Sequence, residues 1–237
     1  MNDKGDVFDI IRGLWKTSPD DPVAAILPRD AESLADFYPR LQRFVAEAPR
    51  GHAGSIDEAA LVRGQIVSMA EGSVIEAGAV IHESCRLLLG PRSRVRSGAV
   101  LRDEVVVGAD CLIGVHCEVF RSVLLGPRTQ LGHFVLLADS IVGGEVSVAG
   151  NVVFASSMVE KGRTVSLKHE GQKIETGRSH LGALVGDGVR LGASTTLCPG
   201  CIVTPGLALP PAATLYGTVD PRRRAALMQR FFEAWDA

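Results

Sequence analysis

Leu89, Val95, Leu101, Val107, Ile113, Val119, Leu125, Leu131 and Leu137 put an aliphatic residue at every sixth position without interruption. Four residues after each stands a small or β-branched residue, in order Ser93, Ala99, Val105, Cys111, Cys117, Val123, Thr129, Val135 and Ile141. A helix repeats at 3.6 and a strand at 2, so neither produces a period of six. A chain wound round a prism, with one short strand per side and two inward positions per hexad, does. A second run, Val185, Leu191, Leu197, Val203 and Leu209, keeps the spacing with Val189, Thr195, Cys201 and Leu207, and Met69, Ile75 and Ile81 lead into the first. Three hexads close one coil of about eighteen residues, so the pattern predicts an all-β solenoid of hexapeptide repeats over residues 55–218, each coil burying its neighbour's face.

The flanks follow other periods. Residues 30–47 set Leu34, Phe37, Tyr38, Leu41, Phe44 and Val45 on one helical stripe, with Pro39 as the expected break or kink. Residues 7–15 are a shorter helical candidate. Asp220 followed by Pro221 is an N-cap and first-turn signature, and Leu227, Met228, Phe231, Phe232 and Trp235 form one face behind it. The expected organisation is an N-terminal helical extension at 1–54, the solenoid at 55–218 and a C-terminal helix at 219–237, with the helices covering ends or sides of the prism. The hexad lapses between Phe154 and Leu184, where R-T-V-S-L-K, H-E-G and Q-K-I-E-T read as two strands about a turn. This predicts a hairpin thrown out from the prism at about 155–184, either a functional excursion or an arm that stabilises an assembly. Leu88, Val106, Leu124 and Val153 are aliphatic at outward hexad positions, and a partner subunit is expected to cover them.

The 237 residues are 46% hydrophobic, enough for one sizeable core with terminal extensions, while 26 glycines and only 5% aromatics suit a narrow prism with tight corners. A net charge of -2 gives no reason to expect nucleic acid as a partner. No N-terminal apolar run qualifies as a signal peptide and none is long enough for a membrane span, so the expectation is a soluble, cytoplasmic protein. Of the five cysteines, Cys85, Cys111, Cys117 and Cys201 fall at the small inward position, where a thiol packs as a small hydrophobe. Cys198 and Cys201 spell C-P-G-C, but the register already assigns Cys201 to the interior and no second pair completes a zinc site.

Two stretches, L-G-H-F-V-L-L-A-D-S-I-V-G-G-E-V-S-V-A-G-N and, after the hairpin, T-G-R-S-H-L-G-A-L-V-G-D-G-V-R-L-G-A-S-T-T-L-C-P-G, carry a more specific signal. In order and spacing, including a five-residue step from Leu137 to Val142, they resemble the left-handed parallel β-helix acyltransferase domain of bifunctional sugar-1-phosphate nucleotidyltransferases, the glucosamine-1-phosphate N-acetyltransferase type. The resemblance covers roughly residues 65–220. It implies a homotrimer with acyl-CoA sites between subunits, acetyl-CoA as co-substrate, no metal, and a sugar phosphate or nucleotide sugar as acceptor. The family's nucleotidyltransferase domain opens with a G-x-G-x-R motif that residues 1–55 lack, so nucleotidyl transfer is not expected.

By the same resemblance His133, in a G-H motif, is the general base that takes a proton from the acceptor, work that suits an imidazole. Leu136 stands where the family has a tyrosine at the sugar phosphate. Ser156 follows A-G-N-V where the family has an asparagine, and His180 replaces the lysine of T-G-R-x-K-L-G-A while Arg178 remains. The resemblance puts these four at the substrate; the lost phenol and amide leave the acceptor open. Ala193, with Arg222 and Arg223, is assigned to acetyl-CoA. Arginines in the first turn of a helix oppose its dipole, which a phosphate would offset, although solvated arginines there cost little at physiological salt. Arg92, Arg94, Arg96, Arg121 and Arg128 read as a solvated prism face or a phosphate strip. Two other classes stay open. One is a catalytically silent hexapeptide protein that binds a sugar nucleotide or scaffolds a separate nucleotidyltransferase. The other is a metal-dependent hydratase using His116 and His133, seventeen residues apart, for which no third ligand is evident.

Overall fold

A computed structural model describes residues 7–17 and 22–236 of the protein. Its body is a parallel β-solenoid of about nine turns. Leu112 pairs with Gln130 and Ile113 with Leu131, so neighbouring coils are displaced by eighteen residues, three hexads. Three columns of side chains point inward. Met69, Leu89, Val107, Val142, Val185 and Val203 line the first side, Ile75, Val95, Ile113, Leu131, Val148 and Leu191 the second, and Ile81, Leu101, Val119, Leu137, Phe154 and Leu197 the third; all are at most 2% exposed. Each such side chain contributes roughly 1.5–3 kcal/mol by leaving water.

Within the uninterrupted run of hexads the register departs from the sequence reading at the third corner. Leu124, not Leu125, is the inward residue after Val119, because a bulge between Phe120 and Ser122 shortens that step to five residues. Ser122 therefore takes the small inward position expected of Val123, and Ser140 takes the one expected of Ile141. Their hydroxyls bond Phe120 O at 2.8 Å and Ala138 O at 2.6 Å, which removes the cost of burying them. Val123 and Ile141 point outward on the first side with Val67, Val106, Leu184 and Ile202, yet all six are buried.

What covers them is the N-terminal extension. Helices α1 (Val7–Arg12), α2 (Ala31–Ala35) and α3 (Phe37–Glu47), with the bend after α1, set Ile11, Leu14, Leu34, Phe37, Leu41 and Val45 against that side. The expectation that a partner subunit covers Val106, Leu88 and Leu124 is thereby corrected: the chain's own helices cover the first two and Leu124 is inside the prism, while Val153 is part-exposed on the third side. The helical stripe breaks at Asp36, not at Pro39, which sits in the first turn of α3, where a missing N–H costs nothing. Asp30 caps α2 through Ser33, a reciprocal pair that stops the helix unwinding into the preceding loop.

The hairpin forms from Ser166–His169 and Gln172–Glu175, antiparallel. It is not thrown outward but folds back, with Val165 and Leu167 buried against the N-terminal helices and Lys168 O accepting from Thr218 Oγ1 at 3.0 Å. Helix α4 (Pro221–Trp235) starts on the Asp220 cap and closes the last coil through Leu227, while Phe232 and Trp235 stay exposed. Among the described residues no helix is long and apolar enough to cross a membrane.

Candidate functional site

A triangular prism has three corners, and each coil must turn at all three. The turn residues adopt positive φ and stack into columns one coil apart. Between the first and second sides the column is Arg92, Asp110, Arg128 and Glu145; between the second and third it is His116, Phe134, Asn151, Ser194 and Ala212; between the third and first it is Asp103, Arg121 and Asp139. Column neighbours thus meet whatever their distance in sequence.

The first column alternates charge. Arg92 pairs with Asp110 at 2.6 Å and Arg128 with Glu145. Arg96 and Arg94 pair with Glu76 at 2.8 and 3.6 Å. Arg121 in the third column holds Asp139 at 2.6 Å and Asp103 at 3.0 Å. The arginines that read as a solvated face or a phosphate strip are therefore occupied by neighbouring carboxylates.

His133 sits at the second corner, exposed, one residue before Phe134. Its Nδ1 accepts the Val115 N–H at 3.3 Å, so the neutral ring presents Nε2–H outward. Below it the corner continues through Asn151, whose N–H bonds His133 O at 3.0 Å, to Ala193 two coils on, which is exposed and accepts from Ala212 N at 2.8 Å. His116 does not join His133; its ring stacks on Phe134 at 5.4 Å and 18°. Among the described residues no three His, Cys, Asp or Glu side chains converge on a point that could hold a metal.

The other assigned residues gather elsewhere. Leu136 lies on the third side, paired with Val153. At that side's far edge Ser157 bridges His180, Ser156 O accepts from Leu181 N, and Ser156 is 9% exposed. Arg178 and His180 line a cleft of about 540 Å³ with Tyr38, Asp103, Arg121 and Asp139. Arg178 donates Nε to His180 O and Nη1 to Ala35 O, both 3.0 Å, and so ties the hairpin's exit to α2. Tyr38 donates its hydroxyl to Glu104 at 2.6 Å; burial and that carboxylate hold the phenol well above its usual range. Sequence reasoning missed this cluster. Its signal was present, since 103, 121 and 139 are one coil apart and carry alternating charges.

Arg223 is also engaged. Its guanidinium donates to Tyr216 O and lies 4.2 Å over the Tyr216 ring, and its backbone N–H donates to the capping Asp220 Oδ1 at 2.8 Å. Arg222 is exposed, beside Lys168, His169 and Lys173 of the hairpin. The structure thus brings His133, Asn151 and Ala193 onto one corner, Ser156, Arg178 and His180 onto the next, and Arg222 and Arg223 against the hairpin.

No protein-family model matches the chain. Over 167 residues it is 32% identical to the bifunctional protein GlmU of Janthinobacterium sp., a match covering 62% of this chain and 35% of that protein. A bifunctional sugar-1-phosphate nucleotidylyltransferase/acetyltransferase of Sulfurisphaera tokodaii is 24% identical over 151 residues, with the same coverages of 62% and 35%. The bifunctional protein GlmU of Methanococcus vannielii is 28% identical over 112 residues, 47% of this chain and 25% of that one. The chain spans about a third or less of the length of these relatives. The chain is homologous to GlmU-type bifunctional nucleotidyltransferase/acetyltransferases over that part, and its parallel β-solenoid is the fold expected of a hexapeptide-repeat acetyltransferase domain.

Proposed function

We propose that the protein is an acyl-CoA-dependent transferase, acetyl-CoA being the donor, that acts on an amino or hydroxy group of a sugar phosphate or nucleotide sugar. The observation that carries the reading is the second corner: an exposed imidazole, next to Phe134, in a column of turns whose following occupants are the small or polar Asn151, Ser194 and Ala193. Coils about 4.8 Å apart make that column a track for an extended thioester arm, with corner amides available to polarise the carbonyl. The acceptor atom bonds to the carbonyl carbon, the C–S bond breaks, and the acceptor's proton ends on the departing thiolate.

His133 is the group that moves this proton. In the hydrogen-bonded tautomer Nε2 is a donor; acting as base requires the proton on Nδ1, at the loss of the Val115 bond, about 1 kcal/mol. That is small against the hundredfold or greater gain typical of a placed base. Replacement separates the roles: His133→Gln keeps a donor, His133→Ala keeps neither. A base is rescued by neither, whereas recovery of turnover in His133→Gln alone would mean that the imidazole acts only as a donor to the carbonyl oxygen.

His133 and the Arg178–His180 cleft occupy opposite edges of the third side, so one copy cannot direct both at one sugar phosphate. A homotrimer, with the second corner of one copy facing the third corner of the next, would join them. A second reading, a sugar-nucleotide binder without turnover, is favoured by Arg178, whose hydrogen bonds hold the fold together. Calorimetric titration with acetyl-CoA and desulfo-CoA, on wild type and His133→Ala, separates the two. Binding that persists in the variant supports the transferase, and absence of binding of either compound sinks it.

A further inference from the structure

Solenoids expose a stacking face at both ends unless something closes it. Here α4 closes the C-terminal end, but the first coil, Gly51 to Val62, has no cover among the described residues. Ile56 and Val62 continue the inward columns above Ile75 and Ile81, yet they are 44% and 37% exposed, and Leu61 beside them is 45% exposed. The strands Gly51–His52, Ser55–Ile56 and Leu61–Val62 each pair on one side only, which leaves three backbone edges open.

The charges at this end are sorted by corner. Asp57 and Glu58 stand at the second corner. Arg63 stands at the third, with Arg50, whose guanidinium faces the Gln65 amide just past that corner; all four charged residues are exposed. The first corner is Ala53–Gly54, without charge. A two-fold axis through the first corner and the middle of the third side would lay a second copy end to end on this one. It would exchange the second and third corners, so that Asp57 and Glu58 of each copy meet Arg63 and Arg50 of the other. The same rotation sets Leu61–Val62 antiparallel to itself and Gly51–His52 antiparallel to Ser55–Ile56. An axis through the second corner would oppose carboxylates to carboxylates, and one through the third would oppose arginines to arginines. The charge pattern accepts one of the three rotations and rejects the other two.

We propose that the N-terminal end of the prism is an isologous interface whose occupant is a second copy of this chain, stacked head to head about that axis. The interface does not depend on the acyl-transfer reading. It doubles whatever assembly the prism sides make, a monomer to a dimer or a trimer to a hexamer. Sedimentation velocity across a wide concentration range, on the full chain, reads this mass. Arg63→Glu and the double variant Asp57→Lys with Glu58→Lys each set like charges together and should halve the mass, weakening association roughly tenfold or more. All three positions are exposed, and circular dichroism checks that the fold is kept. Mixing the two variants restores both charge contacts in a mixed pair and should restore the doubled mass. A mass unchanged in both variants, a wild-type mass that is an odd multiple of the chain, or a mixture that stays halved would each overturn the proposal.

Discussion

Buried thiols illustrate how the prism sets chemistry residue by residue. Burial pushes Cys85 and Cys201 up to about 12 and Cys111 to about 11, from an ordinary value of 9.0. The folded state therefore holds these protons after an unfolded chain would lose them, and their contribution to stability, complete below pH 9.0, falls away as pH rises toward 12. Two outcomes follow. Melting temperature should drop progressively above pH 9.0, and alkylation of the native protein at neutral pH should label Cys198 alone, the one cysteine not buried. Labelling of Cys201 without unfolding would contradict its interior position. Gly182 marks a different constraint, the point where the chain re-enters the prism after the hairpin. A Cβ there would overlap Ala138 O and Ser140 Oγ. Gly182→Ala should cost about 1–3 kcal/mol in denaturant unfolding, because backbone has no rotamer with which to yield.

Between elements, a direct hydrogen bond from α3 to the prism runs from Tyr38 to Glu104, a carboxylate that is only 5% exposed. Tyr38→Phe removes the donor and leaves that carboxylate without its phenol, so a loss of about 1–3 kcal/mol in thermal or denaturant unfolding is expected. Glu104→Gln, which can still accept, should lose less. Equal losses would mean that packing, not the hydrogen bond, holds α3. On a larger scale, a chain beginning at residue 49 would expose Val67, Val106, Val123, Ile141, Leu184 and Ile202 as one apolar strip. It is expected to aggregate or to change its assembly on a sizing column, whereas the whole chain does not present that surface. The hexad pattern made the prism's interior legible, but this strip was not readable as covered: outward aliphatics look the same whether a helix of the same chain or a partner covers them.

For the molecule as a whole, the separation of His133 from His180 across one side yields a complementation test. If the proposed trimeric transferase reading holds, copies carrying His133→Ala and copies carrying His180→Ala, each weak in acetyl transfer, regain part of the activity when unfolded and refolded together, because a shared cleft can then hold one intact pair. No recovery would mean that the two corners do not act on one substrate.

Sequence by itself determined the winding of this protein. A period of six, with two inward positions, leaves a chain no other way to bury its aliphatic residues, and the strand directions, coil length and buried cysteines follow from it, while the hairpin is marked by the lapse of that period. It also placed the N-cap of α4, which depends only on neighbours in the chain. Tertiary structure decided what periodicity does not encode. The five-residue step at Leu124 was hidden because Leu125 also satisfies an apolar pattern, and only pairing with Val107 and Val142 selects between them. The corner columns of Arg121 with Asp139 and of His116 with Phe134 join residues one coil apart, and the Tyr38–Glu104 tie joins residues 66 apart. Such contacts are set by how coils stack and where helices dock, and a local reading of hydrophobic spacing carries no term for either.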